Sequence, residues 1–170
     1  MTSFEELFIE SRGQPIEWEG QDLIRSDKFP VSNGDTLVCS IESANNEVFL
    51  QGFCIDITGS CEIDGVLHKK GKGMRALFWS DGSAPPEIRI KVFTKQDFVW
   101  VYNVCEVPDV NHVGRHYNCL EWGRNGAAMI VEEIPNGRRY RCSDIRHGDK
   151  EDQFGDIVFT VQKEVSDHPL

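Results

Sequence analysis

Residues 86–106 read PEIRIKVFTKQDFVWVYNVCE, and no other stretch restricts the fold as much. Ile88, Ile90 and Val92 alternate with Arg89, Lys91 and Phe93. A period of two places the aliphatic side chains on one face of a strand and the charged ones on the other. After the polar residues 94–97 the chain runs FVWVYNV. Aromatic and β-branched residues at nearly every position favour a central strand covered on both faces. A buried helix is the competing reading, but the run is short and its residues suit a pleated surface. The expectation is a hairpin over 87–105 on which the other strands assemble.

A second hairpin is expected close behind. AAMIVEEI (127–134) leads into Pro135, Asn136 and Gly137, and RRYRC (138–142) returns. Proline presets φ for a turn, and Asn and Gly tolerate positive φ. Glu132 and Glu133 precede the turn, and Arg138, Arg139 and Arg141 follow it. Opposite charges across a hairpin contribute roughly 0.2–1 kcal/mol per pair, so the plain role of this cluster is register control on a wet face. The sharper alternative is an anion or acidic-partner site built from the three arginines.

The remaining chain continues the pattern. Turn dipeptides at Asn33-Gly34, Asn45-Asn46, Thr58-Gly59 and Asp64-Gly65 separate strand-like runs at 36–42, 48–57, 61–63 and 66–68. Gly52 inside one of these runs suggests a bulge or a close backbone approach. A basic tip, KKGKG (69–73), precedes the strand MRALFW (74–79), and DIVFTV (156–161) closes the series. Residues 18–30 give mixed signals, with a short strand at 23–25. Residues 107–122 lack a clean period. At the start, SFEELFI (3–9) reads as a short helix. Ser3 and Glu6 fit a capping box, and Phe4, Leu7 and Phe8 share one face. About ten short strands at regular spacing therefore predict an all-β protein. Its architecture is an antiparallel β-sandwich or barrel with a short N-terminal helix. With 170 residues, one domain is expected over 1–170, with residues 1–15 as helix or arm and 166–170 as a frayed tail.

Composition narrows the function. The net charge of −10 is uneven: residues 1–66 hold thirteen acids and three bases, and residues 67–170 hold fifteen of each. A negative surface repels nucleic acid and anionic lipid and attracts a basic protein, although solubility alone also accounts for it. No apolar run approaches the roughly 18–20 residues that cross a bilayer, and the acidic N-terminal stretch does not read as a secretory signal. The expected location is cytoplasmic. The six cysteines form no CxxC pair, and several sit in strand-like runs such as LVCSI and FCIDI. Free buried thiols are the expected state.

Motifs for chemistry are sparse. Asp109, His112, His116 and Cys119 form DVNHVGRHYNC, and two histidines four apart share a face of a helical turn. Zinc accepts such ligands. Against it stand Gly114 between the histidines and the missing glutamate after His112, so two ordinary histidines in a polar excursion are the simpler reading. GxSxG, papain-like cysteine, GxxxxGK[ST] and GxGxxG patterns are all absent. KKGKG joins two strands and opens no helix, which disfavours a helix-terminus phosphate site. Trp79, Trp100 and Tyr102 lie in apolar strands and belong to the core; Trp18 and Trp122 lie in less regular segments and offer flat surfaces to a sugar or a protein.

Three function classes follow. The first is a non-enzymatic module that binds a basic protein through Glu5, Glu6, Glu17, Glu19, Trp18 and Trp122, without a cofactor, as an inhibitor or immunity-type protein would. The second is a carbohydrate- or small-ligand-binding β-sandwich. The third is a metal-dependent enzyme using the His112/His116 segment.

Overall fold

A computed structural model describes residues 4–69, 71, 73–112, 115–121, 128–144 and 154–165, with side chains for all of these except Glu5 and residues 107–121. After one helix, α1 (Phe4–Glu10), every element is a strand. In chain order these are β1 (Ile16–Trp18), β2 (Gln21–Leu23), β3 (Asp27–Pro30), β4 (Thr36–Ala44), β5 (Leu50–Ile57), β6 (Gly59–Ile63) and β7 (Val66–His68). There follow β8 (Met74–Trp79), β9 (Ile88–Thr94), β10 (Phe98–His112), β11 (Arg115–Glu121), β12 (Ala128–Ile134), β13 (Gly137–Ser143) and β14 (Ile157–Lys163). Every pairing is antiparallel. The protein is all-β, as the alternation predicts.

Two sheets stack. The larger has seven strands in the order β12-β13-β14-β4-β9-β6-β7. The smaller has the order β11-β10-β5-β8, with β3 on the same edge of β10 as β11. A separate two-stranded ribbon is β1-β2. Neither large sheet closes on itself among the described residues, so the sandwich form of the expectation holds.

Inward alternation makes the core. Ile88, Ile90 and Val92 of β9 are buried while Arg89 and Lys91 are exposed. From the smaller sheet, Phe53, Ile55, Val99 and Val101 meet Leu37, Tyr140, Phe159 and Val161 of the larger. Phe53 stacks on Phe159 at 4.4 Å between ring centroids, and Phe159 stacks on Tyr140 at 5.0 Å. Stacked aromatic pairs contribute about 0.5–1.5 kcal/mol beyond the area they bury.

A satellite core lies beside the sandwich. Phe4 and Phe8 of α1 pack with Ile16, Leu23, Ala128, Ile130 and Phe154. The face of the helix expected to pack does so. The helix stops at Gly13, whose φ of 77° is in the left-handed region and whose N–H donates to the Phe8 carbonyl at 2.8 Å.

Three expectations are corrected. First, β9 and β10 do not form a hairpin. β9 lies between β4 and β6 in the larger sheet, whereas β10 lies in the smaller one. Residues 95–97 carry the chain across the sandwich. Periodicity reports which face is buried and carries no information on which strand is the neighbour. Second, residues 16–30 hold three strands. Glu19 (φ 49°) and Gly20 (φ 78°) make the tight reversal between β1 and β2, and the expected strand at 23–25 is replaced by β2 and a bridge from Ile24 to Met129. Third, the aperiodic residues 107–122 hold the end of β10 and all of β11. Strand count among the described residues is therefore fourteen, against about ten expected.

The hairpin between β12 and β13 forms as read, with Asn136 at φ 61° in its turn. Five cysteines, Cys39, Cys54, Cys61, Cys105 and Cys142, are free and buried; the side chain of Cys119 lies outside those described. Among the described residues, no helix is long and apolar enough to cross a membrane.

Gly52 is a close approach. A Cβ there would lie 2.6 Å from the Phe78 carbonyl oxygen and 2.7 Å from Cε3 of Trp79. Gly52→Ala is expected to cost about 1–3 kcal/mol by overpacking, read as a lower urea midpoint at unchanged slope. The thiols give a second expectation. Burial pushes Cys39 and Cys54 up to about 12 from 9.0. Between those values the unfolded thiols release protons that the folded ones keep, so stability falls as pH rises from 9 towards 12. The slope is about 1.4 kcal/mol per pH unit for each thiol, and Cys39→Ala should reduce it in urea titrations across that range.

Candidate functional site

The arginine cluster proposed as an anion site is an internal ion-pair network. In the β12–β13 register Glu133 faces Arg138 and Glu132 faces Arg139. Arg138 Nε donates to Glu133 at 3.0 Å, and its Nη1 donates to Asp27 Oδ2 at 2.7 Å. Its guanidinium also lies 5.7 Å from the centroid of Phe29. Arg139 pairs with Glu42 at 2.9 Å and Glu132 at 3.7 Å, and Arg141 pairs with Glu132 at 3.3 Å. Each arginine thus has a carboxylate of the chain's own, which supports the register role.

Asp27 joins the two sheets. The hydroxyl of buried Tyr140 on β13 donates to Asp27 Oδ2 on β3 at 2.6 Å. Burial, followed by the Asp27 charge, pushes the Tyr140 phenol far above its ordinary value. Burial also opposes the Arg138 charge, but Asp27 outweighs it and holds that guanidinium's pKa up.

The segment proposed to hold zinc is not helical. Asp109 and His112 are on β10, and His116 and Cys119 are on β11. The register pairs Asp109 with Tyr117, His112 with Arg115, and Val107 with Cys119. The helical i, i+4 face that motivated the ligand set is therefore absent. The four side chains lie outside those described, and among the described residues no three His, Cys, Asp or Glu side chains gather to hold a metal.

The acidic residues converge on the satellite core. Glu17 and Glu19 are exposed on the β1–β2 ribbon, and Glu6 is exposed on α1; the side chain of Glu5 and the whole of Trp122 lie outside the described residues. Trp18 is half-buried, edge-on to Phe4 at 5.4 Å and to Phe154 at 5.8 Å. Its ring works first as packing for the helix. The register adds an acid that the sequence reading did not select. Glu17 stands directly opposite Asp22, both exposed. Like charges in that relation destabilise a strand pair. Neither residue, nor Glu19, has an ion-pair partner among the described residues.

A buried polar network also went unread. Gln51 and Asn103 lie on β5 and β10 within apolar runs, and both are buried. Gln51 Nε2 donates to Asp144 Oδ2 at 2.9 Å, and Asn103 Nδ2 donates to the Ser143 carbonyl at 3.0 Å. The Asp144 N–H donates to Asp156 Oδ2 at 2.7 Å. Their only sequence signal is a polar residue interrupting VFLQGF and VWVYNVC.

Comparison with protein-family models, curated proteins and solved structures found no match to this chain. Functional reading therefore rests on these placements alone.

The buried hydrogen bond and the outer ion pairs of this network separate experimentally. Tyr140→Phe removes a buried hydrogen bond to a carboxylate and is expected to cost about 1.5–3 kcal/mol. Arg141→Ala removes an exposed pair and is expected to cost about 1 kcal/mol or less. Urea denaturation of both variants reads the difference.

Proposed function

We propose that the protein is a non-enzymatic protein-binding module whose acidic ribbon and helix recognise a basic partner, in the manner of an inhibitor or immunity-type protein. One observation carries the proposal: Glu17 opposes Asp22 across β1 and β2 without a compensating cation among the described residues. Five acids of the sandwich, Asp27, Glu42, Asp56, Glu132 and Glu133, have cationic partners instead. A local arrangement that costs stability is expected where a surface is kept for binding. Glu19 at the turn and Glu6 and Glu10 on α1 extend the same charge over neighbouring exposed positions. Complementary charge would accelerate encounter with the partner and reject acidic competitors.

Asp22→Lys separates the two consequences. Replacing repulsion by attraction is expected to stabilise the fold by about 0.2–1 kcal/mol, read as a higher thermal midpoint. The same charge reversal, combined with Glu17→Lys and Glu19→Lys, should abolish retention of a basic protein that immobilised wild-type protein captures from source-cell lysate at low salt. Rising ionic strength should release that protein from the wild type. Equal capture by the triple variant would refute the reading.

A further inference from the structure

Lys69, the first residue of the KKGKG stretch, lies at a cleft at the edge of the larger sheet opposite the acidic ribbon. The ribbon β1-β2 borders β12 through the Ile24–Met129 bridge, and β12 begins the strand order that β6 and β7 end. Beside β6 and β7 the chain passes between the sheets twice. It leaves β5 for β6 at Thr58 and Gly59, and it leaves β9 for β10 over residues 95–97.

The two crossings are fastened together. Gly59 pairs with Thr94, and a Cβ at Gly59 would stand 2.0 Å from the Phe93 carbonyl oxygen. Gly59 has φ 153°, which L side chains rarely adopt. The Thr94 hydroxyl donates to the Thr58 carbonyl at 3.0 Å, and the Thr94 N–H donates to Asn33 Oδ1 at 3.0 Å. Between these strands and Lys69 and Gly71 lies a cleft of about 760 Å³. That volume is within the usual range for a small-molecule site, and one wall, Gly59, Ser60, Phe93 and Thr94, belongs to the paired strands β6 and β9.

Charge and chemistry specify the occupant. Lys69 and Lys95 line the cleft, and neither forms an ion pair with any described residue. Both are exposed, so the cleft carries two ammonium groups not neutralised by a described carboxylate. Ser60 and Thr58 add hydroxyls, and the half-buried ring of Phe93 supplies an apolar wall. Two ammonium groups suit a dianionic head, and the ring suits an apolar body attached to it.

We propose that this cleft binds a small phosphate monoester carrying an apolar or aromatic group, with Lys69 and Lys95 on the phosphate and Phe93 against the body. This site is independent of the acidic ribbon.

The test is titration of ¹⁵N-labelled full-length protein with phenyl phosphate, followed by NMR. Saturable shifts are expected at the amides of Thr58, Gly59, Ser60, Lys69, Gly71, Thr94 and Lys95. Lys69→Gln with Lys95→Gln should weaken binding by about tenfold or more, the effect of removing two charge-assisted contacts. Arg12→Gln, which removes one positive charge from an exposed site elsewhere, should leave affinity within about twofold, because exposed charges beyond a Debye length are screened. Inorganic phosphate should bind more weakly than phenyl phosphate, and phenol should not shift these amides. Lysine substitutions are at exposed positions, and an otherwise unchanged spectrum confirms the fold. Shifts elsewhere, no saturation at millimolar phenyl phosphate, or equal affinity in the double variant would overturn the proposal.

Discussion

The aromatic stack of Phe53, Phe159 and Tyr140 sets the terms for the rest of the structure. It is the point at which the smaller sheet meets the larger, and both ring planes are nearly parallel, at 10° and 22°. Placing Tyr140 in that stack buries its hydroxyl, and a buried hydroxyl without a partner is costly. Asp27 on β3 meets that need, which brings β3 against the edge of the sandwich. A carboxylate in that position requires a cation in turn, and Arg138, two residues before Tyr140 on β13, supplies it. The charged cluster on β13 is therefore a consequence of the aromatic packing. Its outward members, Arg139 and Arg141, extend the same pairing into exposed positions where each bond contributes little.

The fold also redistributes charge that looks one-sided in the chain. Four acids of the first 66 residues are matched in space by cations from the remainder: Asp27 by Arg138, Asp35 by Lys163, Glu42 by Arg139 and Asp56 by Arg75. The pairs of Asp27 and Glu42 reach the β12–β13 hairpin, that of Asp35 reaches β14, and that of Asp56 joins the neighbouring strands β5 and β8. Glu17, Glu19 and Asp22 on the β1–β2 ribbon, and Lys69 and Lys95 at the crossing between sheets, are among the charges left without an ion-pair partner among the described residues.

How much of this was legible depends on what each residue pattern encodes. Alternation in residues 88–92 fixes the buried face of β9, and Asn136-Gly137 and Asp64-Gly65 fix two hairpins, because these signals act within one or two strands. Partner choice acts over the whole chain. Nothing in residues 94–97 distinguishes a turn from a crossing, since both are short and polar. The ribbon at 16–23 was obscured because its strands are only three residues long, too short for a period to emerge. The clash of Glu17 with Asp22 becomes visible only through that register. Gln51 and Asn103 were hidden for a related reason: each is a single polar residue in an apolar run, and its partners at 143 and 144 are about forty to ninety positions away.

The separation of the two hydrophobic clusters bears on how the acidic face would work. Phe4, Phe8, Ile16 and Leu23 pack with Phe154 and the start of β12, apart from the main core. A small satellite core buries less apolar surface than the sandwich, and local opening is expected to begin where such contacts are fewest. Repulsion between Glu17 and Asp22 lowers the stability of the ribbon further. A cationic partner would relieve that repulsion at the moment of contact, and the gain would fall on the ribbon. On the proposed reading, binding of a partner and ordering of α1 with the ribbon would be one coupled equilibrium, whereas the strand wall of the cleft at the sheet crossing is fixed by the Gly59–Thr94 pairing.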